Sequence, residues 1–194
     1  MKKIIFLAFL LMLTSLNADP PESRARGVFF GVGVGPRLPV FDFSDRSYFG
    51  YGIDIEISFT DFEWLPFFLY AETGFEHYSG SQDYFQSTNL THYSLNVLPI
   101  NLGARWYGAP MTDNFFIIPF VQGAAEFAYE QELYQYKAGS GRNDELKDNF
   151  DAGASVGVGA SMFVMEVLLS YHHLSNRQFI AFDMKARIPL FVIF

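Results

Sequence analysis

The sequence predicts an all-β protein: an eight-stranded antiparallel up-and-down transmembrane β-barrel preceded by a cleaved signal peptide. Three observations carry that prediction. Long stretches alternate large apolar residues with small or polar ones, many positions on the polar face are glycine, and the chain opens on a basic and then apolar segment typical of export. In residues 49–59 every odd position is Phe, Tyr or Ile, and every even position is Gly, Asp, Glu or Ser. Successive side chains on a strand point to opposite faces, so this run has one oily face and one small, charged face.

The amino-terminal segment is set aside before the fold is argued. Met1-Lys2-Lys3 is basic, Ile4 to Leu13 is apolar, and Thr14 to Ala18 is small and polar, the three parts of a secretory signal. Its ten apolar residues are too few for a helix to span a bilayer. Cleavage after Ala18 gives a signal peptide over 1–18 and a barrel domain over 19–194. The remainder of the chain has no apolar run long enough for a membrane helix.

Composition narrows the function classes. The 194 residues include no cysteine, which excludes a disulfide framework, a thiolate metal site and a cysteine nucleophile. With 13 Lys and Arg against 21 Asp and Glu, the formal charge of −8 argues against nucleic acid as a partner. No motif calls for a cofactor or a metal.

The same alternation predicts eight strands over 27–36, 48–60, 67–78, 91–107, 115–129, 151–162, 164–173 and 178–194. Val28 to Gly35, Ala152 to Met162 and Ile180 to Phe194 all show it. Glycine is poor in a water-exposed strand but suits a narrow lumen, which favours a barrel whose oily face meets lipid. Connections over 37–47, 79–90 and 130–150 read as long loops, the last as a polar extracellular segment; 61–66, 108–114 and the turn near Phe163 read as short. Trp64, Phe67, Phe68, Trp106, Tyr107, Phe115 and Phe116 are expected in one interfacial girdle, and Tyr78, Tyr93, Tyr129 and Tyr171 near the other.

Parity also predicts the contents of the lumen. Asp54, Glu56, Glu72, Glu76, Glu126, Glu166 and Asp183 face inward with Arg105, Lys185 and Arg187, and Asn96, Asn101, Gln122 and His172 are read as neutral partners. Eight strands leave an interior that side chains fill, so a charge-paired plug is expected. Glu56 and Glu72 fall at similar depth on neighbouring strands. A cation must separate them, and Arg105 or Arg187 is expected to supply it.

The last strand, Ile188-Pro189-Leu190-Phe191-Val192-Ile193-Phe194, resembles the carboxy-terminal signal that barrel assembly machinery reads on bacterial outer-membrane proteins, with Phe194 as its terminal residue. With Asn101 to Tyr107 before a turn and Ile118-Pro119-Phe120-Val121 opening the next strand, the chain resembles the small eight-stranded barrels of the OmpA, OmpX and PagL type. That resemblance implies a monomer in the bacterial outer membrane with periplasmic termini. Its partners would be outer-membrane lipid, lipopolysaccharide and the assembly machinery.

One constellation suggests chemistry. His173-Leu174-Ser175-Asn176 resembles the motif of lipid A 3-O-deacylase, which implies His173 as general base and Ser175 as nucleophile on the outer barrel face. The family's following Ala-Gly is replaced by Arg177-Gln178, and no outward carboxylate stands on the last strand to orient the imidazole. The competing reading makes these residues part of a turn. His77 and His92 flank the second loop without a third metal ligand. The preferred expectation is a structural or surface-interaction barrel acting through its loops, and the alternative is an acyl hydrolase. A soluble lipocalin-like binder would require the apolar faces to turn inward.

Overall fold

The computed structural model describes residues 26–61, 65–111 and 117–193. The predicted signal peptide, Trp64, Phe115, Phe116 and Phe194 lie outside them. Eight strands follow one another: β1 Arg26–Pro39, β2 Ser47–Asp61, β3 Leu65–Gly80, β4 Leu90–Tyr107, β5 Ile117–Tyr136, β6 Glu145–Met162, β7 Met165–Leu174 and β8 Gln178–Ile193. Each pairs antiparallel with its sequence neighbour, and β8 pairs back onto β1, with Val32 opposite Ala186 and Arg26 opposite Ile193. Closure satisfies the backbone groups of both outer strands, which a sheet in lipid requires.

The faces point as the alternation predicts. Ile53, Ile55 and Ile57 are 56%, 49% and 56% exposed, whereas Asp54 and Glu56 between them are 6% and 1% exposed. A water-soluble protein would pay heavily for the first set and for the burial of the second. The chain is therefore built inside out, with its apolar band outward. Inner-face glycines give the charged side chains room: a Cβ on Gly33 would lie 2.8 Å from Lys185 Cγ and collide with the Asp54 carboxylate.

The strands are longer than the sequence reading made them. β5 and β6 continue through most of 130–150, pairing Glu130 with Asn149 and Tyr134 with Glu145, so only 137–144 remains as a connection. Charged residues in that stretch mimic loop composition, but the ladder hydrogen bonds and the cross-strand pairs decide the backbone. β1 likewise runs on to Pro39 and brings Arg37 into the barrel wall.

Two short helices cover the loop end: α1, Asp42–Arg46, and α2, Gln82–Ser87. Ser81 caps α2 by accepting from the Tyr84 amide at 3.2 Å, as an N-terminal serine does. Helix α1 sends Phe43 into an apolar cluster with Tyr78, Tyr93, Leu95, Val97, Leu174 and Phe179, against which Tyr84, Phe85 and Tyr134 pack. Tyr78 and Tyr93 are thus fully buried inside the mouth, a correction to their expected place in an outer girdle. Both share the inward parity of their strands: Tyr78 with Glu76, Tyr93 with Leu95. Phe68 and Tyr107 also turn inward, edge to face at 5.0 Å, while the Phe67 and Trp106 rings lie tilted against each other outside at 5.3 Å.

Candidate functional site: the ionic interior and the loop-end rim

The lumen holds two layers of paired charge. Nearest the termini, Glu56 on β2 is held by Arg105 Nη2 on β4 at 2.8 Å and by Arg187 Nη2 on β8 at 2.5 Å. Both guanidiniums reach Glu166 on β7 at 3.0 Å. Arg105 Nε donates to Gln122 at 2.8 Å, and its guanidinium lies between the rings of Tyr70 and Phe120, 5.1 and 4.9 Å away. Such flat contacts favour arginine over lysine at this position.

Glu56 and Glu72 are direct cross-strand partners. The cation between them is Lys185, which bonds Glu72 and stands 3.5 Å from Glu56 and 3.1 Å from Asp54. This corrects the expectation of an arginine in that place: Arg105 and Arg187 both contact Glu56 from the Glu166 side. A lysine ammonium is compact enough to sit among three carboxylates.

Toward the loop end the acids gather on two arginines, Arg37 and Arg177, in segments that the sequence predicts as connections between strands. Arg37 lies 2.5 Å from Asp183, 3.0 Å from Glu76 and 3.7 Å from Asp54. Arg177 bonds Glu76, reaches Glu130 at 3.1 Å and Glu126 at 3.6 Å, and lies over Phe179 at 4.8 Å. Arg177 belongs to the turn between β7 and β8. The Asp151 carboxylate fixes that turn by accepting from the Ser175 and Asn176 amides at 3.1 and 2.9 Å. A continued parity count along β1 finds Arg37, since 27, 29, 31, 33, 35 and 37 share one face. No local pattern marks Arg177, because a turn has no period.

Beside these, His172 makes a Ser-His-Glu relay. Its Nδ1 is 2.7 Å from Glu126 and its Nε2 is 2.8 Å from Ser170 Oγ, with the ring stacked on Phe179 at 4.3 Å. The arrangement has the hydrogen bonds of a hydrolytic triad, but the cavity it borders is about 10 Å³, room for one water and no substrate. It is a link in the ionic network. Asn96, read as an inward partner, instead faces out and accepts from His77 at 2.7 Å, because inward parity on β4 belongs to the odd residues such as Asn101 and Arg105.

On the rim, His173 is exposed and its ring neighbours Tyr171 at 6.4 Å. Ser175 Oγ points to the Ala152 carbonyl at 3.4 Å. Among the described residues no hydrogen bond joins His173 to Ser175 or to a carboxylate, and Asp151 is engaged by backbone amides. His77 and His92 have separate partners, Asn96 and the Phe85 ring, and among the described residues no cluster of metal-type ligands forms. On the loop-end part of β5, Tyr134 donates to Glu132 at 2.7 Å. At the opposite end a vestibule of about 340 Å³ opens over Arg187 and Glu166, walled by Phe29, Phe68 and Phe163.

No family model and no curated protein sequence matches the chain. Solved structures similar to it include Neisserial surface protein A, at 10% identity and a TM-score of 0.49 over 86% of this chain and 99% of that one. The amino-terminal β-barrel domain of Pseudomonas aeruginosa OprF is 12% identical, with a TM-score of 0.44 over 85% and 100%. Ail, the attachment invasion locus protein of Yersinia pestis, solved with the heparin analogue sucrose octasulfate, is 7% identical, with a TM-score of 0.40 over 86% and 99%. On its own geometry, a closed ring of eight antiparallel strands with lipid-compatible residues outside and paired charge within, the chain has the fold of the small outer-membrane β-barrels.

Proposed function

We propose that the protein is an integral barrel of the bacterial outer membrane whose interior is a plug, and that it serves a structural or surface-interaction role through its loop end. The observation that carries this reading is the interior itself. Five cations, Arg37, Arg105, Arg177, Lys185 and Arg187, are each bonded to at least two acids inside a closed wall, and an apolar cluster covers the loop-end mouth. A conducting pore needs a continuous wet path, and these side chains occupy it. The outward band would contact lipid and lipopolysaccharide, and the barrel assembly machinery would insert the chain.

The test is reconstitution. The folded barrel should run faster than the boiled one on a denaturing gel and show no unitary conductance in a planar bilayer; steady ohmic currents would overturn the plug. The acyl-hydrolase reading at His173 and Ser175 has only exposure and position on its side. Lipid A from cells carrying the intact protein or Ser175→Ala should give the same mass spectrum, and an acyl loss that depends on Ser175 would replace the present reading with a deacylase.

A further inference from the structure

We propose that the outer face of β2 to β5 carries a binding site for the amide- and hydroxyl-bearing headgroup of an outer-leaflet glycolipid, formed by Tyr51, His77, Asn96 and Gln131. The inference rests on the outer-membrane reading above. The four residues lie side by side across the sheet: Tyr51 is opposite His77, His77 opposite Asn96, Asn96 opposite Gln131, and Gln131 opposite Asp148 on β6. Their flanking residues Gly52, Tyr78, Val97 and Glu130 are buried inside, so the row points away from the lumen.

The row is partly bonded to itself. The Tyr51 and His77 rings are 5.4 Å apart, His77 Nδ1 and Asn96 Oδ1 are 2.7 Å apart, and Gln131 Nε2 donates to Asp148 Oδ1 at 3.2 Å. With Asn96 Oδ1 accepting, His77 Nδ1 carries the proton and Nε2 is left as an acceptor. The Asn96 amide hydrogens, the Gln131 carbonyl oxygen and the Tyr51 hydroxyl bond nothing in the described protein. The row lies at the loop-end edge of the apolar band, where Asp148 is exposed, so these open valences sit at headgroup level and are free to meet a polar headgroup.

The occupant's chemistry follows from the surroundings. Two residues nearer the termini on each strand, Ile53 faces Phe75, Leu98 faces Tyr129 and Tyr129, whose hydroxyl bonds Asp148, faces Phe150, a mostly apolar wall against which acyl chains can lie. The open valences alternate donor and acceptor, as the hydroxyls and amide of an acylated amino sugar do. The charged end of the row is Asp148, an acid, which disfavours a phosphate in the same place.

The experiment places the folded barrel in phosphatidylethanolamine nanodiscs containing equal N-palmitoylglucosamine and phosphatidylglycerol, and reads retained lipid by native mass spectrometry. The intact protein should keep the acylated sugar over phosphatidylglycerol, and the triple variant His77→Leu, Asn96→Leu, Gln131→Leu should keep about ten-fold less. Leucine is at home on a lipid-facing strand, so the variant should retain its heat-modifiable band. Tyr51→Phe removes one hydroxyl alone and should cost about three-fold, which decides the matter if the triple variant does not fold. Equal retention by intact protein and folded variant, or preference for phosphatidylglycerol, would overturn the site while leaving the barrel reading intact; loss of the heat-modifiable band in the intact protein would instead overturn the barrel.

Discussion

At the terminus end of the lumen Glu56, Glu72 and Glu166 meet three cations, Arg105, Lys185 and Arg187, and Asp54 stands between Lys185 and Arg37 of the next layer. Toward the loop end four acids, Glu76, Glu126, Glu130 and Asp183, share two arginines, Arg37 and Arg177, with His172 beside them. The first layer is built from residues fixed in the middle of strands. The second depends on an arginine delivered by a turn, and it is covered by the aromatic cluster around Phe43 and Phe179. The difference suggests that the terminus-end layer holds the barrel together while the loop-end layer closes it.

Breaking each layer in turn sharpens that contrast. The largest effect belongs to Glu56→Gln, which removes the one carboxylate that Arg105, Lys185 and Arg187 share in a buried site. It should lower the stability of the reconstituted barrel by about 3–5 kcal/mol, read from urea unfolding in vesicles; a loss below about 1 kcal/mol would mean the layer is dispensable. Arg177→Met should cost about 2–3 kcal/mol by the same assay, less because Glu76 keeps Arg37 and Glu126 keeps its hydrogen bond to His172. Its distinguishing result is electrical: with Glu76, Glu126 and Glu130 released, small cation-selective currents should appear in planar bilayers, which Glu56→Gln should not produce. Asp151→Ala removes the two amide bonds that fix the Arg177 turn and should cost about 1–2 kcal/mol. If the turn positions Arg177, the Asp151 variant should show a weaker form of the same currents.

How much could be read in advance follows from the range over which each feature is encoded. The eight-stranded, inside-out barrel was legible because side-chain direction repeats every two residues, so Ile53 and Glu56 reveal opposite faces without knowledge of their neighbours. Along β3 and β4 the same alternation separates Tyr78 and Tyr93 from the outer girdle and puts Asn96 outside with His77. Expecting those tyrosines at the lipid interface followed a compositional habit over parity. The loop ends were misjudged for the same reason. Glu130, Glu132, Lys147 and Asp148 look like loop residues, yet they lie on paired strands that continue beyond the apolar band.

Alone, the sequence determined the strand faces, the direction of the oily band and the placement of acids such as Asp54, Glu56 and Glu72 on one side of the wall, since all of these are set within a single strand. Tertiary structure decided which cation meets which acid: that Lys185 sits between Glu56 and Glu72, that Arg177 enters from a turn, and that Tyr51, His77, Asn96 and Gln131 fall into one row. These outcomes depend on the stagger between strands brought together around a ring, and register is a property of pairs that no single strand carries.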